Sequence, residues 1–159
     1  MEPTPPLAVA ELARLVVELA DAVVVADTAG TIRFWNAAAE RIFGWTATEA
    51  LGSSLDLIIP ERQRTRHWEG YQRVMSTGTT KYGSDILRVP SLHSDGQRRS
   101  IAFTVTLLRD AGGSVTGIAA VVRDETERWS EEQELRRLAR GAPEVSNAAP
   151  SASSHDRPV

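Results

Sequence analysis

The segment Asp27-Thr-Ala-Gly30 lies between two short apolar runs, Ala22-Val-Val-Val-Ala26 and Ile32-Arg-Phe-Trp35, and Asn36 follows at once. Asp and Gly supply a tight turn, while β-branched and aromatic residues fill the flanking runs, so this stretch predicts an antiparallel ribbon. Asn36 can accept an orphan amide proton of the run Ala37-Ala-Ala-Glu-Arg-Ile-Phe43, and Gly44 can stop that run in a left-handed conformation. The ribbon therefore leads straight into a short capped helix. Thr46-Ala-Thr-Glu49 repeats the pattern as a capping box, with Gly52 closing a second short helix.

With 159 residues, 42% of them hydrophobic, the chain has enough apolar material for one core and its tails. It contains no cysteine, which excludes disulfides, cysteine-held zinc or iron–sulfur, a thiol nucleophile and a cysteine–flavin adduct. His67, His93 and His155 are scattered along the sequence and do not form a metal motif. A net charge of -3 argues against a nucleic-acid partner, which would ask for clustered Lys and Arg. No apolar run approaches the roughly 20 residues needed to cross a bilayer, and Met1-Glu-Pro-Thr-Pro-Pro6 lacks a secretory start. A cytoplasmic protein without membrane insertion is expected.

Leu7 to Leu19 has helical spacing of apolar residues and reads as a flanking helix that packs on the domain or on a copy of itself. A third helix is predicted from Pro60 to about Ser76, stopped by Gly78. On it His67, Tyr71 and Val74 or Met75 share one face. Strands follow: Asp85 to Val89, Ser100 to Leu108 and Val115 to Arg123, joined by turns at Ser94-Asp-Gly96 and Asp110-Ala-Gly-Gly113. Alternation puts Ile101, Phe103, Val105 and Leu107 on one face of the second, and Ile118, Ala120 and Val122 inward on the third. Between the neighbours Ala119 and Ala120, the shared phase selects Ala120. The expected class is α+β, a five-stranded antiparallel sheet with short helices cupping one face and flanking helices at both ends. Residues 1–20 form a tail and flanking helix, 21–125 the domain, 126–140 a C-terminal helix, and 141–159 a disordered tail of Ala, Ser, Pro and polar residues.

Several of these stretches together resemble a PAS domain of the bacterial signalling type. They are Asp27-Thr-Ala-Gly-Thr-Ile-Arg-Phe-Trp-Asn36, Ala39-Glu-Arg-Ile-Phe-Gly-Trp45, Glu49-Ala-Leu-Gly52, the helix end from His67 to Gly78, Ser94-Asp-Gly96 and the exit Arg123-Asp-Glu-Thr-Glu-Arg128. The resemblance covers residues from about Leu12 to Leu138. It implies a sensory module with an interior cavity and flanking helices that dimerise. A small ligand or cofactor would then act on a C-terminal effector or partner, of histidine kinase or cyclic-dinucleotide type. Asp124 and Thr126 are the expected joint, as caps of the exit helix.

His67-Trp-Glu-Gly-Tyr-Gln-Arg-Val-Met-Ser-Thr-Gly78 resembles, more narrowly, the haem-binding FixL-type domain. That likeness implies His67 as axial ligand of haem b and Arg73 as partner of a propionate. The arginine that meets bound oxygen there falls on Leu87 here without a gap, with Arg88 one residue away. Ile101, Phe103, Ile118, Ala120 and Val122 would line the edges of such a cofactor, with Tyr71 beside it. Three interiors stay open at this point: haem, a cavity that is empty or holds a small molecule, and a core packed solid. A small carboxylate or aromatic acid would find its cationic partner in Arg73, Arg88 or His67. No nucleophile–base pair, phosphate loop or paired carboxylates emerge, so no catalytic residue is expected. The competing function is a ligand-free module for homodimerisation and protein interaction through the N-terminal helix and the sheet face.

Overall fold

The computed structural model describes residues 6–141. Strand β1 (Ala22–Asp27) turns into β2 (Ile32–Trp35). The turn is held by Asp27, whose Oδ1 accepts from the amides of Ala29 and Thr31, both at 3.0 Å. Gly30 has φ +81, and a Cβ there would stand 2.2 Å from the ring of Trp68. The turn therefore demands glycine twice, for its backbone and for the helix packed on it.

Helices α2 (Ala37–Phe43) and α3 (Ala47–Ala50) follow, then a single 3₁₀ turn at Leu55–Leu57 and the long α4 (Glu61–Thr77). The predicted caps are in place: Asn36 accepts from Ala39, Thr46 and Glu49 form the capping box, and Gly44 and Gly78 end their helices with left-handed backbone. Strands β3 (Leu87–Leu92), β4 (Arg98–Arg109) and β5 (Val115–Asp124) complete one sheet in the order β2-β1-β5-β4-β3, antiparallel throughout. The α+β architecture is the one expected.

The largest displacement from the expectation is in β3, which runs through Leu92 where Val89 was the expected end, and starts at Leu87 where Asp85 was expected. Asp85 instead closes a turn onto the carbonyl of Tyr82 at 2.7 Å. Pro90 sits inside the strand because β3 pairs only with β4, and an edge strand tolerates a residue without an amide proton.

One face of the sheet is covered by α2, α3, the 3₁₀ turn and α4. Ala22, Val24 and Ala26 of β1 and Val122 of β5 point to that side, where Ile32, Trp35, Ala38, Ala39 and Phe43 are buried with them. The opposite face carries Val23, Val25, Ala119 and Val121, with Val121 exposed. Helix α1 (Val9–Glu18) and helix α5 (Thr126–Gly141) bury none of their residues. Both leave the domain as ridges that show Leu12, Leu15, Trp129, Leu135 and Leu138 to solvent. Apart from Gly141, the tail expected at 141–159 lies outside the described residues.

Asn36 does more than cap α2. Its Oδ1 accepts from Val23 and Ala39, each at 3.0 Å, and its Nδ2 donates to the carbonyls of Val16 and Asp21 at 3.2 and 3.1 Å. The side chain is 3% exposed, so a truncation leaves buried partners unpaired. Asn36→Ala is expected to cost about 3 kcal/mol, a cap of ~1 kcal/mol plus the desolvation of an orphaned amide. Asn36→Asp keeps both acceptor bonds and faces two carbonyls with no proton to give, so urea unfolding should show a comparable loss. Retention of full stability by Asn36→Ala would refute this account.

Candidate functional site: the cavity between the sheet and helix 4

The inner face of the sheet and α4 do not meet fully. Between them lies a cavity of about 550 Å³, inside the range common for small-molecule sites. The volume follows in part from the residues: β1 presents Ala26 and β5 presents Ala120 to it, and neither reaches far from the backbone. On the other side, α4 is held off by its own anchors. Tyr71 donates from its hydroxyl to the carbonyl of Asp27. Trp68 Nε1 donates to Asp56 Oδ1 at 2.8 Å.

Most of the expected residues converge on this space. His67, Tyr71, Ile101, Phe103, Ile118, Ala120 and Val122 all line it. Ala119 faces the other way, paired with Val25 and Thr106 across the outer face. Arg73 is not brought to the cavity; it is exposed on α4.

Arg88 touches the cavity along the strand but sends its guanidinium elsewhere. The β3–β4 register is regular, pairing Leu87 with Phe103 and Arg88 with Ala102. Leu87 therefore shares the inner face with Phe103, and Arg88 turns outward. There its Nε meets Glu125 Oε2 at 3.0 Å. The bulge that would have turned Arg88 inward is absent from this strand pair.

Beyond the expected residues the wall holds four further polar ones, Gln63, Arg66, Tyr82 and Ser91, and apolar ones such as Val24, Leu55 and Ile58. Gln63 is one helical step before His67 on the face already traced through Tyr71, so extending that face backward would have found it. Ser91 lies beyond Val89, the expected end of β3; in the observed strand it shares the phase of Leu87 and Val89.

Ser91 is 1% exposed, and its Oγ has no hydrogen-bond partner among the described residues; the same holds for the buried His67 Nδ1. Burial depresses the His67 pKa below its ordinary 6.5, with Asp56 pulling weakly the other way, so the imidazole is neutral at neutral pH. The Tyr71 phenol, pushed up to about 12 chiefly by burial, stays a donor. The wall is apolar, with a few unused polar atoms.

The joint to α5 is next to this wall. Glu125 pairs with Arg88 and, at 3.4 Å, with Arg128, and its amide donates to Ser100 O at 2.8 Å. Asp124 Oδ1 accepts from the Thr126 amide at 2.8 Å, as a cap should. Thr126 does not cap: its Oγ1 accepts from the Ser100 amide at 3.0 Å and pins the first turn of α5 to β4. Among the described residues no helix is long and apolar enough to cross a membrane, and no group of three acidic, histidine or cysteine residues is placed to hold a metal ion.

Known proteins carry the same frame. The "Uncharacterized protein" of Azorhizobium caulinodans is 37% identical over 120 residues, 75% of this chain and 16% of that protein. The sensor protein FixL of Bradyrhizobium diazoefficiens is 29% identical over 118 residues, 74% of this chain and 23% of FixL. The chain thus spans a small part of the curated relatives it matches. The crystal structure of the PAS domain of a protein from Colwellia psychrerythraea superimposes with a TM-score of 0.66 at 21% identity, covering 75% of this chain and 98% of that one, a likeness of fold. The model of the PAS fold family matches residues 17–129, and with the sheet order, the helical cup and the hollow interior it places this chain in the PAS family.

Proposed function

We propose that this PAS domain is the sensory module of a signalling protein and has no catalytic role of its own. In this reading a small ligand fills the cavity, and its presence is read by α5 and by an effector beyond it, of histidine kinase or cyclic-dinucleotide type. The observation that carries the reading is a cavity whose wall holds two buried polar atoms without partners among the described residues. Unpaired buried groups are costly in a closed protein and useful in one that receives a ligand. Through Arg88 and Glu125 a strand of the cavity wall is bonded to the root of α5, so a change in β3 has a route outward. The unburied apolar residues of α1 and the outer sheet face fit a homodimer, and the setting we propose is the cytoplasm. Native mass spectrometry of freshly purified protein should show a dimer carrying added small-molecule mass. A ligand-free monomer, or a ligand-free dimer with a filled interior, would overturn the sensory reading, the dimer in favour of a protein-interaction module.

A second reading, a haem b sensor, draws on His67 at the cavity wall. Haem would supply iron for a diatomic gas or a redox change, with His67 as its axial ligand. The remaining residues fit such a group poorly. Arg73 is away from the cavity, Leu87 stands at the inward position, and Arg88 is committed to Glu125. Among the described residues no acceptor meets His67 Nδ1, whereas an axial imidazole is usually oriented by one on its second nitrogen. The expected result is a protein without a Soret band after haemin is added; a Soret band lost in His67→Ala would reverse the order of the two readings.

The neutral His67 also sets a pH dependence. Because burial lowers its folded pKa below 6.5, the unfolded chain takes the proton first on acidification. Stability is then full above about pH 6.5 and falls as the pH drops below it. Urea unfolding at pH 7.5 and 5.5 should show this loss, and His67→Leu should remove that part of it. An unchanged slope in His67→Leu would show that the imidazole is not held neutral by the fold.

A further inference from the structure

The cavity wall has cationic and neutral polar groups and no acidic one. No Asp or Glu is among the residues that line it, and Arg66 is. Arg66 is exposed, and among the described residues it enters no ion pair, so it marks the mouth with an uncommitted guanidinium. Two other polar groups of the wall are already used, the Tyr71 hydroxyl by Asp27 and the Arg88 guanidinium by Glu125. Two buried polar atoms of the wall are without a partner among the described residues, His67 Nδ1 on α4 and Ser91 Oγ on β3; the hydroxyl is both donor and acceptor and without charge. Arg66 and Ser91 are apart: the Leu92 amide donates to Ile58 O at 2.9 Å, which sets Ser91 beside the approach to α4. Arg66 lies six residues beyond Pro60, about 9 Å along a helix axis.

Each feature excludes a class of molecule. A cation would meet Arg66 and no carboxylate. An anionic group at the inner end would be buried against an uncharged hydroxyl, a costly place for a charge. A wholly apolar molecule would leave Ser91 Oγ unpaired. Resting on the reading of the cavity as a ligand site, we propose that it takes a mostly apolar monocarboxylic acid with an uncharged hydroxyl or carbonyl at its far end. The apolar body lies against Ile101, Phe103, Ile118 and Val122, the far group bonds Ser91 Oγ, and the carboxylate stays at the mouth on Arg66.

Four probes of one shape test this on the full chain by isothermal titration: 3-(4-hydroxyphenyl)propionate, 3-phenylpropionate, 3-(4-hydroxyphenyl)propionamide and tyramine. The hydroxy acid should bind about tenfold more tightly than 3-phenylpropionate, the worth of one buried hydrogen bond. It should exceed the amide several-fold, with a margin that shrinks in high salt, and tyramine by more than either. Ser91→Ala removes a hydroxyl that bonds nothing among the described residues, so it should fold normally and abolish the preference over 3-phenylpropionate alone. Arg66→Gln, at an exposed position, should abolish the preference over the amide alone. Tyramine binding as tightly as the hydroxy acid, or both preferences surviving both substitutions, overturns the proposed ligand class. If none of the four binds while native mass spectrometry finds a different molecule in the protein, this inference falls and the sensory reading stands. If none binds and the protein is ligand-free, both fall.

Discussion

The carboxamide of Asn36 is the joint on which the rest of the structure depends. It is the last residue before α2, yet its four hydrogen bonds reach β1 at Val23, the first turn of α2 at Ala39, the end of α1 at Val16 and the link at Asp21. An amide is the side chain that can do this, because it accepts on one side and donates on the other without charge. The direction in which α2 leaves the sheet is fixed there. So is the position of Phe43, fully buried at the far end of that helix, whose carbonyl receives the Ser94 amide at 2.8 Å. The β3–β4 turn is thereby attached to α2, and the two edges of the cup are set from one side chain.

With the near side of the cup fixed, the hollow follows from a contest between packing and tethering. Apolar surface drives α4 toward the sheet at about 25 cal/mol per Å², and a longer side chain at Ala26 or Ala120 would meet it. The tethers act at the middle and the C-terminal end of the helix: Trp68 on Asp56, Tyr71 on Asp27, and Arg109 on the carbonyl of Gly78 just past the helix. Each is a bond between a side chain and a rigid turn or sheet residue, so α4 is suspended above the sheet. A helix held off the sheet forfeits dispersion contacts along the lining of the space between them.

The frame was legible in the sequence because each part of it has a local cause. The Asp–Gly turns, the Asn36 and Thr46 caps, the left-handed glycines and the two-residue alternation of β4 and β5 are all decided within a few residues of where they occur, and all formed where expected. The site was legible where it inherits that alternation, as with Ile101, Phe103, Ile118, Ala120 and Val122. It was not legible where a neighbour distant in sequence decides. Ser91 depends on β3 continuing through Pro90, which only its edge position permits. The outward turn of Arg88 depends on the register with Ala102. Thr126 has the residue type of a cap, and what draws its hydroxyl away is Ser100, 26 residues earlier.

The same long-range bonds bring the two flanking helices to one point. Asp21, at the exit of α1, is held through its carbonyl by Asn36 and through its carboxylate by Arg123 at 2.9 Å. The next residue, Asp124, caps α5. One end of β5 thus carries the roots of both helices, while the body of the strand, at Ile118, Ala120 and Val122, forms cavity wall. Neither helix buries a residue of its own, so each is attached by a few root hydrogen bonds and ion pairs in place of a packed face. Exposed ion pairs such as Arg123–Asp21 contribute at most about 1 kcal/mol each. In the proposed sensory role, a shift in β5 of a size that a ligand's differential binding can supply would re-aim both helices together, while the packed side of the sheet holds its shape.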